Sequence, residues 1–483
     1  MILLIPGKDA IRRDQPMKRF DQSDTNTFRL IIVRRNGSEI LFTSGESGWT
    51  LPCVQVFPRE RLAQQLTAAL NEQLGMQAYC LFLPRFTAPE RNAPRTAYAV
   101  LESIKHNDYA PRGTCWMPRT ASGCQHIHPV EGRGTIEESL RQLDSYINEP
   151  NAGPFGRPGW LRELFDWTQA QLSPLGLRVN GSFRQLNASP TFSLIRFETN
   201  GPAVWFKATG EPNLHELPIT LSLTRLFPGH LPAILGVRPS WNAWLSEEVS
   251  NTTLDQFTEL SVWERVTEGL AELQIASIGK CCPLLDAQCR DLRLPNLIDL
   301  IPPFLARMAE FMDVQEKQSP PPLTAPALDF IGERLQEAIS VLQDLRLPDT
   351  LGHIDLNPGN ILVSSARCVF LDWAEACVSH PLITFEYLRE YARRSLRRND
   401  ALGERIAAAY LHRWQSFFSP DALTQALAVS PLIAVFVSAI AGKTWRSLDP
   451  VQDPEVAGYF RSLTRRMYRE ATEMVERSER CLN

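Results

Sequence analysis

Residues 351–363 read "LGHIDLNPGNILV". His353, Asp355 and Asn360 stand in one tight polar turn that runs straight into an apolar, strand-like segment. Phosphoryl transfer asks a protein for a carboxylate near the attacking hydroxyl, oxygen ligands for Mg²⁺, and positive charge on the phosphates. The order H-x-D-x-x-x-x-N supplies the first two in a single loop. Downstream, "CVFLDW" reads as the second strand of a hairpin whose turn is "SSAR". It brings Asp372 twelve residues after Asn360, so that two oxygen ligands on adjacent strand ends could hold Mg²⁺ between them. The plainer reading is a loop whose Asp and Asn merely cap turns. The added His, the Pro-Gly turn, the two strands and the second Asp argue together against it.

The rest of the chain bounds the answer. At 483 residues it is too long for one ordinary core, and two or three domains are expected. Hydrophobic residues make up 44% and charged residues 22%, the composition of a soluble globular protein. Lys and Arg number 50 against 54 Asp and Glu, a net charge of −4, which gives no reason to expect a nucleic-acid or acidic-membrane partner. "MILLIPGKDA" has no positive segment before a short apolar run and does not read as a signal peptide. The apolar run "PLIAVFVSAIAG" at 431–442 is about half a membrane span. The ten cysteines form no Cys-x-x-Cys pair, so a cytoplasmic protein with reduced thiols is expected. Cys115, Cys124, His126 and His128 are the best zinc candidates, but their spacing fits no standard motif.

The sequence predicts an α+β, multidomain chain. Residues 28–44 hold two β-rich runs around Asn36-Gly37, a hairpin signal. A helix follows, with Leu62, Leu66, Ala69, Leu70 and Leu74 on one face and Gly75 as its stop. Residues 1–147 make this first domain, and the glycine- and proline-rich 148–160 begins a connecting segment that runs to 177. Residues 179–208 read as a three-stranded antiparallel meander within a segment 178–255. Helical periodicity dominates 256–483. The Pro-rich 318–327 reads as an exposed loop.

"HIDLNPGNILV" followed by "VFLDWAEA" resembles the catalytic and metal loops of the aminoglycoside phosphotransferase and choline kinase family, of protein-kinase-like fold. The resemblance spans roughly residues 178–465. It implies a bilobal phosphotransferase domain with a largely helical C-lobe, using ATP and Mg. Asp355 would be the catalytic base, Asn360 and Asp372 the metal ligands, and His353 a structural brace. A phosphate-binding lysine is then due on the third strand of the N-lobe, where "AVWFKA" offers Lys207, with Glu216 as its partner on the next helix. "WLSEEV" resembles the hinge, whose backbone at Glu248 and Val249 would meet adenine. The first turn of the meander, "LNASPT", lacks G-x-G-x-x-G, although Ala188 and Ser189 are small enough for a close approach to phosphate. Ile354 and Asn357 stand where the family commonly shows Gly and His. Glu375 and His380 are candidate substrate contacts. The run Arg389, Arg393, Arg394, Arg397 and Arg398 reads as a solvated basic face before an anion site.

The helix at 62–74 and its flanks resemble a degenerate Nudix box. Leu70, Met76, Glu60 and Glu72 fit, but Val54, Ala68, Ala69 and Gln73 replace the glycine, the Arg-Glu pair and a glutamate. The loss of two carboxylates implies a Nudix-like α/β/α domain without hydrolase activity, serving ligand binding, lobe contact or homodimer formation. The plain alternative is an amphipathic helix in an unrelated α+β domain. Together these readings predict a small-molecule kinase whose partners are a nucleotide and a hydroxyl-bearing acceptor. The alternative is a pseudokinase, a nucleotide-binding or interaction module.

Overall fold

The computed structural model describes residues 26–45, 48–57, 61–83, 96–104, 110–119, 133–250, 252–317, 319–365, 367–395, 401–442 and 444–482. The chain forms two compact units, Met1–Leu217 with Ala233–Glu248, and Pro218–Pro232 with Val249–Asn483. The four segments expected from sequence divide the chain differently, because the front sheet and the meander share one unit.

The front sheet is mixed. Its path runs from β3 (Gly48–Thr50) through β2 (Glu39–Gly45), β1 (Asn26–Arg34) and β6 (Thr96–Ser103) to the edge strand β5 (Ala78–Phe82). Strands β4 (Cys53–Val56) and β7 (Thr114–Pro118) pair with β1 and β2 respectively. The β1–β2 hairpin turns at Arg35, Asn36 and Gly37, all with positive φ, as the Asn-Gly signal predicts. Strand β1 is apolar on both faces because both are covered. Leu30 and Ile32 pack with Leu66 and Leu70 of α1 (Leu62–Leu74). Ile31 and Val33 pack with Ile136, Leu140 and Leu143 of α2 (Arg133–Asn148). Gly75 caps α1 at φ 61°, the left-handed stop its sequence announces. This is the expected α/β/α layering, though layering alone does not make a Nudix domain. Glu72 is exposed on α1, and Glu60 lies outside the described residues.

The meander is β8 (Val179–Ala188), β9 (Ser193–Thr199) and β10 (Val204–Ala208), extended by β12 (Ala243–Glu247) and β11 (Ile234–Arg238) into a five-stranded antiparallel sheet. Before it, 153–160 proves to be packed into the core rather than a free connection, whereas 148–152 is exposed. A Cβ on Gly153 or Gly156 would come 2.6 Å from the Tyr146 ring. These glycines are therefore required by close approach, which composition cannot distinguish from flexibility. The Phe155 ring lies 5.1 Å from Trp160, at the start of α3 (Trp160–Leu172), and 6.0 Å from Phe206 in β10. One core thus runs from the front sheet into the second sheet.

A side chain completes the junction. Gln185, 2% exposed, accepts a hydrogen bond from Cys80 N at 2.8 Å and donates one to Cys80 O at 2.9 Å. Its amide acts as a short pseudo-strand on the outer edge of β5, closing a row of backbone groups that would otherwise be unpaired.

The second unit continues α4 (Glu216–Leu226) and is mostly helical. Its long elements are α5 (Leu260–Ala276), α6 (Ile301–Asp313), α7 (Ala325–Leu345), α8 (Pro381–Ser395), α9 (Ala401–Trp414), α10 (Pro420–Ile440) and α11 (Pro454–Leu482). The apolar run at 431–442 belongs to α10, which is long and apolar enough to cross a membrane and is 72% buried within the protein. Short strands β13 (Arg290–Leu292), β17 (Ala376–Ser379) and β14 (Thr350–His353) form one small sheet, and β15 (Ile361–Val363) with β16 (Cys368–Phe370) forms a hairpin.

Candidate active site

The loop quoted at the outset lies between β14 and β15. Strand β14 is pressed against β17 so closely that a Cβ on Gly352 would meet Ser379 Oγ at 2.5 Å and Cys377 Sγ at 2.7 Å. At its end His353 is 1% exposed. Asp355 N donates to His353 Nδ1 at 3.2 Å, so the ring proton sits on Nε2 and is donated to Leu371 O at 2.9 Å. The ring also lies 4.8 Å from that of Trp373. His353 therefore ties the strand carrying Asp355 to the strand carrying Asp372, as a brace would.

Asn357 and Ile354, the two departures from the family pattern, have local roles. Asn357 Oδ1 accepts from Gly359 N at 3.0 Å, capping a one-turn helix at Pro358–Asn360. Ile354 is buried in the core. Asn360 donates Nδ2 to Asp355 O at 3.0 Å, which turns its amide oxygen toward other uses. Its backbone oxygen accepts from Leu371 N at 2.8 Å. This brings Asn360 and Asp372 onto neighbouring strand ends. Asp372 has φ 64° and ψ 55°, a left-handed conformation uncommon for a residue with a Cβ. Buried Trp373, whose Nε1 donates to Phe370 O at 3.0 Å, holds the turn in place. Backbone strain of this kind persists where the surroundings over-determine it, frequently at functional sites.

Asp355 accepts hydrogen bonds on Oδ1 from Tyr387 Oη at 3.1 Å and, at the longer distance of 3.5 Å, from Asn357 Nδ2. Its Oδ2 accepts none among the described residues. Burial, and then the neighbouring Asp372 carboxylate, raise its pKa to about 6. Glu375 is held by Arg290 at 2.9 Å. Its own burial is the main cause that raises it to about 7, with Asp355 and Asp372 adding to the rise. Three carboxylates thus share one region of the second unit and repel one another, an arrangement that favours a cation. Asn360 and Asp372 offer hard oxygen donors of the kind Mg²⁺ takes from a protein when phosphates supply the rest. Among the described residues no three His, Cys, Asp or Glu side chains form a metal cluster. Of the zinc candidates only Cys115 is described, in β7; Cys124, His126 and His128 lie outside the described residues.

His380 does not fit the substrate role expected of it. It is fully buried, its Nδ1 accepts from Leu382 N at 3.4 Å, and burial lowers its pKa to about 3. A side chain sealed in the core cannot meet a ligand. The basic run is neutralised locally. Arg389 pairs with Glu386 at 2.8 Å, and Arg393 and Arg394 pair with Glu390. Arg397 and Arg398 lie outside the described residues.

In the first unit Lys207 Nζ meets Glu216 Oε1 at 2.5 Å and lies 5.7 Å from the Trp244 ring centroid. Glu216 is 2% exposed at its side chain, whereas Glu211, five residues before it, is exposed. Alternation along β10 puts Phe206 in the core and Lys207 on the opposite face. Glu248 makes a two-pronged pair with Arg196 at 2.6 and 2.9 Å, and its backbone N–H donates to Ala203 O. Of the backbone groups expected to meet adenine, this amide is already occupied. Val249 opens the second unit.

The turn after β8 also differs from expectation. Ser189 Oγ accepts from Thr191 N and Phe192 N, and Ser189 N donates to Phe192 O. Pro190 has no N–H to give. The turn's amides are therefore closed on themselves rather than open to phosphate. Ala188 packs against the front sheet's core.

Tyr387, Arg290 and Thr384 were not picked out from sequence. Each comes from a different segment than the loop it contacts, and no spacing marks them.

Residues 244–428 match the Phosphotransferase enzyme family. No curated protein sequence matches the chain. Among solved structures, a choline/ethanolamine kinase family protein from Mesorhizobium loti is similar at 17% identity and a TM-score of 0.42, covering 64% of this chain and 94% of that one. The macrolide 2'-phosphotransferase MphH from Brachybacterium faecium is similar at 15% identity and a TM-score of 0.42, covering 62% and 96%. The aminoglycoside phosphotransferase APH(2")-IIia, solved with GDP and kanamycin, is similar at 16% identity and a TM-score of 0.42, covering 63% and 98%. The residues that match the phosphotransferase enzyme family, 244–428, contain Asp355, Asn360 and Asp372.

Proposed function

We propose that the protein is an ATP- and Mg²⁺-dependent kinase that transfers the γ-phosphoryl group to a hydroxyl of a small molecule. The observation that carries this reading is Asp355, a carboxylate with one oxygen held by Tyr387 and the other open, in the same loop as Asn360 and beside Asp372. Asp355 Oδ2 would accept the acceptor's hydroxyl proton as the oxygen bonds to the γ-phosphorus and the bond to ADP breaks. Asn360 and Asp372 would hold Mg²⁺, which when bound neutralises developing charge on the phosphates. Lys207, fixed by Glu216, is assigned to the phosphates of ATP. Glu375 with Arg290 is assigned to the acceptor. A pseudokinase reading leaves the open carboxylate oxygen without a use. The front domain is read as Nudix-like and non-catalytic, supported by its helix, the Gly75 stop and the missing box carboxylates.

ADP release from Mg·ATP tests this reading with a panel of small alcohols: choline, ethanolamine, kanamycin and a macrolide, which the similar structures suggest. Turnover with one of them, lost roughly 100-fold or more in Asp355→Asn, is expected. Full turnover by Asp355→Asn would overturn the assignment of the base. Absence of any thermal shift with ATP and Mg²⁺ would overturn both ATP-dependent readings.

A further inference from the structure

Two of the hydrogen bonds that reach the Asp355 loop from outside it come from a single helix. On α8, Thr384 Oγ1 accepts from His353 N at 2.9 Å, and three residues later Tyr387 Oη donates to Asp355 Oδ1 at 3.1 Å. Residues three apart share a helix face, so one face of α8 holds the backbone at the start of the loop and the side chain at its centre. The helix itself is fixed. Its first residue, Pro381, accepts through its carbonyl from buried Gln274 Nε2 at 2.9 Å, and Gln274 Oε1 accepts from Tyr410 Oη at 2.6 Å. Two residues beyond Thr384 and next to Tyr387 in sequence, buried Glu386 accepts from Ser430 Oγ at 3.0 Å and pairs with Arg389. The Phe385 ring stacks on Tyr410 at 4.1 Å.

A carboxylate turns readily about its last bond, and its two oxygens are equivalent until something distinguishes them. Tyr387 makes the shorter of the two hydrogen bonds that draw the distinction here, Asn357 Nδ2 of the loop itself reaching the same Oδ1 at 3.5 Å. A hydroxyl whose only proton is given to Oδ1 commits that oxygen and leaves Oδ2 for a reacting group. We propose that Tyr387 is a positioning residue for phosphoryl transfer, holding one oxygen of Asp355 from a rigid helix so that the other meets the acceptor hydroxyl. It acts through Asp355 and does not touch the phosphate. The inference rests on the kinase reading above, and the experiment separates the two.

The test is a double-mutant cycle between Tyr387→Phe and Asp355→Asn. Phe keeps the ring and removes only the hydroxyl. Turnover is measured as ADP release at saturating Mg·ATP, with the acceptor found in the panel and, separately, with water as the only acceptor. For Tyr387→Phe, kcat is expected to fall on the order of 10-fold, since misplacing a general base forfeits part of its contribution of about 100-fold or more. KM for ATP and for the acceptor should stay within about twofold of wild type, because uniform binding is untouched. In the Asp355→Asn background the same substitution should cost nothing further, because its effect passes through the carboxylate. An unchanged kcat in Tyr387→Phe overturns the inference, as does a loss seen only in the acceptor KM, or an equal loss in both backgrounds. If Asp355→Asn alone keeps full turnover, the kinase reading fails first, and the inference fails with it. A melting temperature within a few degrees of wild type confirms that Tyr387→Phe folds, and Tyr387→Leu, which also removes the ring, should show the same kcat loss.

Discussion

Replacing Gln185 by Leu should uncouple the front sheet from the strand that leads to the β8–β9 turn. The amide of Gln185 satisfies both Cys80 N and Cys80 O, at 2.8 and 2.9 Å, in a site where Gln185 is 2% and Cys80 1% exposed. Leucine is close in size, so the transfer and cavity contributions are small, and the cost comes from two buried backbone groups left without partners. Each such group costs about 1–3 kcal/mol, so a loss of roughly 2–6 kcal/mol is expected for the two. For a unit of this size 1 kcal/mol moves Tm by about 2–4 °C, placing the shift between about 4 and 24 °C. Gln185→Glu should be at least as damaging, because its carboxylate accepts from Cys80 N but faces Cys80 O with a second acceptor. Scanning calorimetry of the full chain reads both variants. A Gln185→Leu shift below about 2 °C would refute the reasoning, since it would mean that water or strand movement satisfies Cys80 at little cost.

Two further outcomes follow from the first unit. Lys207→Met should lower kcat roughly 100-fold, in the range seen when one preorganised group facing developing charge is removed; Glu216→Gln, which keeps the shape but frees the lysine, should instead raise KM for ATP, and steady-state kinetics would show the reverse pattern if Glu216 were the phosphate-side residue. The Arg196–Glu248 pair predicts a pH effect on stability. Hydrogen bonding to Arg196 holds Glu248 below its ordinary pKa against the opposing effect of burial, so its contribution is complete above the unfolded glutamate value of about 4.3 and is lost as pH falls through the lower folded value. Arg196→Met should flatten the fall in Tm between about pH 5 and pH 3, and an unchanged slope would show that the pair contributes nothing.

Much of the site was legible because its chemistry is local in sequence. Asp355 and Asn360 are five residues apart in one loop, and a short hairpin delivers Asp372, so neighbouring residues dictate their meeting. Lys207 and Glu216 were legible through strand order, since a lysine on the third strand of a meander faces the helix that follows. The misreadings share a cause as well. The turn amides at Ser189, the N–H of Glu248 and the ring of His380 all have suitable chemistry, and sequence does not show whether a donor is already taken or a side chain is sealed. Residues 153–160 were misread in the same way, Gly153 and Gly156 serving contact with Tyr146 rather than freedom.

The sequence by itself determined the local make-up of the candidate site, through residue types whose spacing places Asp355, Asn360 and Asp372 on consecutive turns. It also placed the β1–β2 hairpin, α1 and the β8–β10 meander, through hydrophobic period and the Gly75 and Asn36-Gly37 signals. Only the tertiary structure decided which groups are available. Tyr387 reaches Asp355 across 32 residues, Arg290 reaches Glu375 across 85, and Gln185 reaches Cys80 across 105. Hydrogen bonds over such separations depend on how whole elements pack, and packing is a property of the assembled core that no short window of sequence contains.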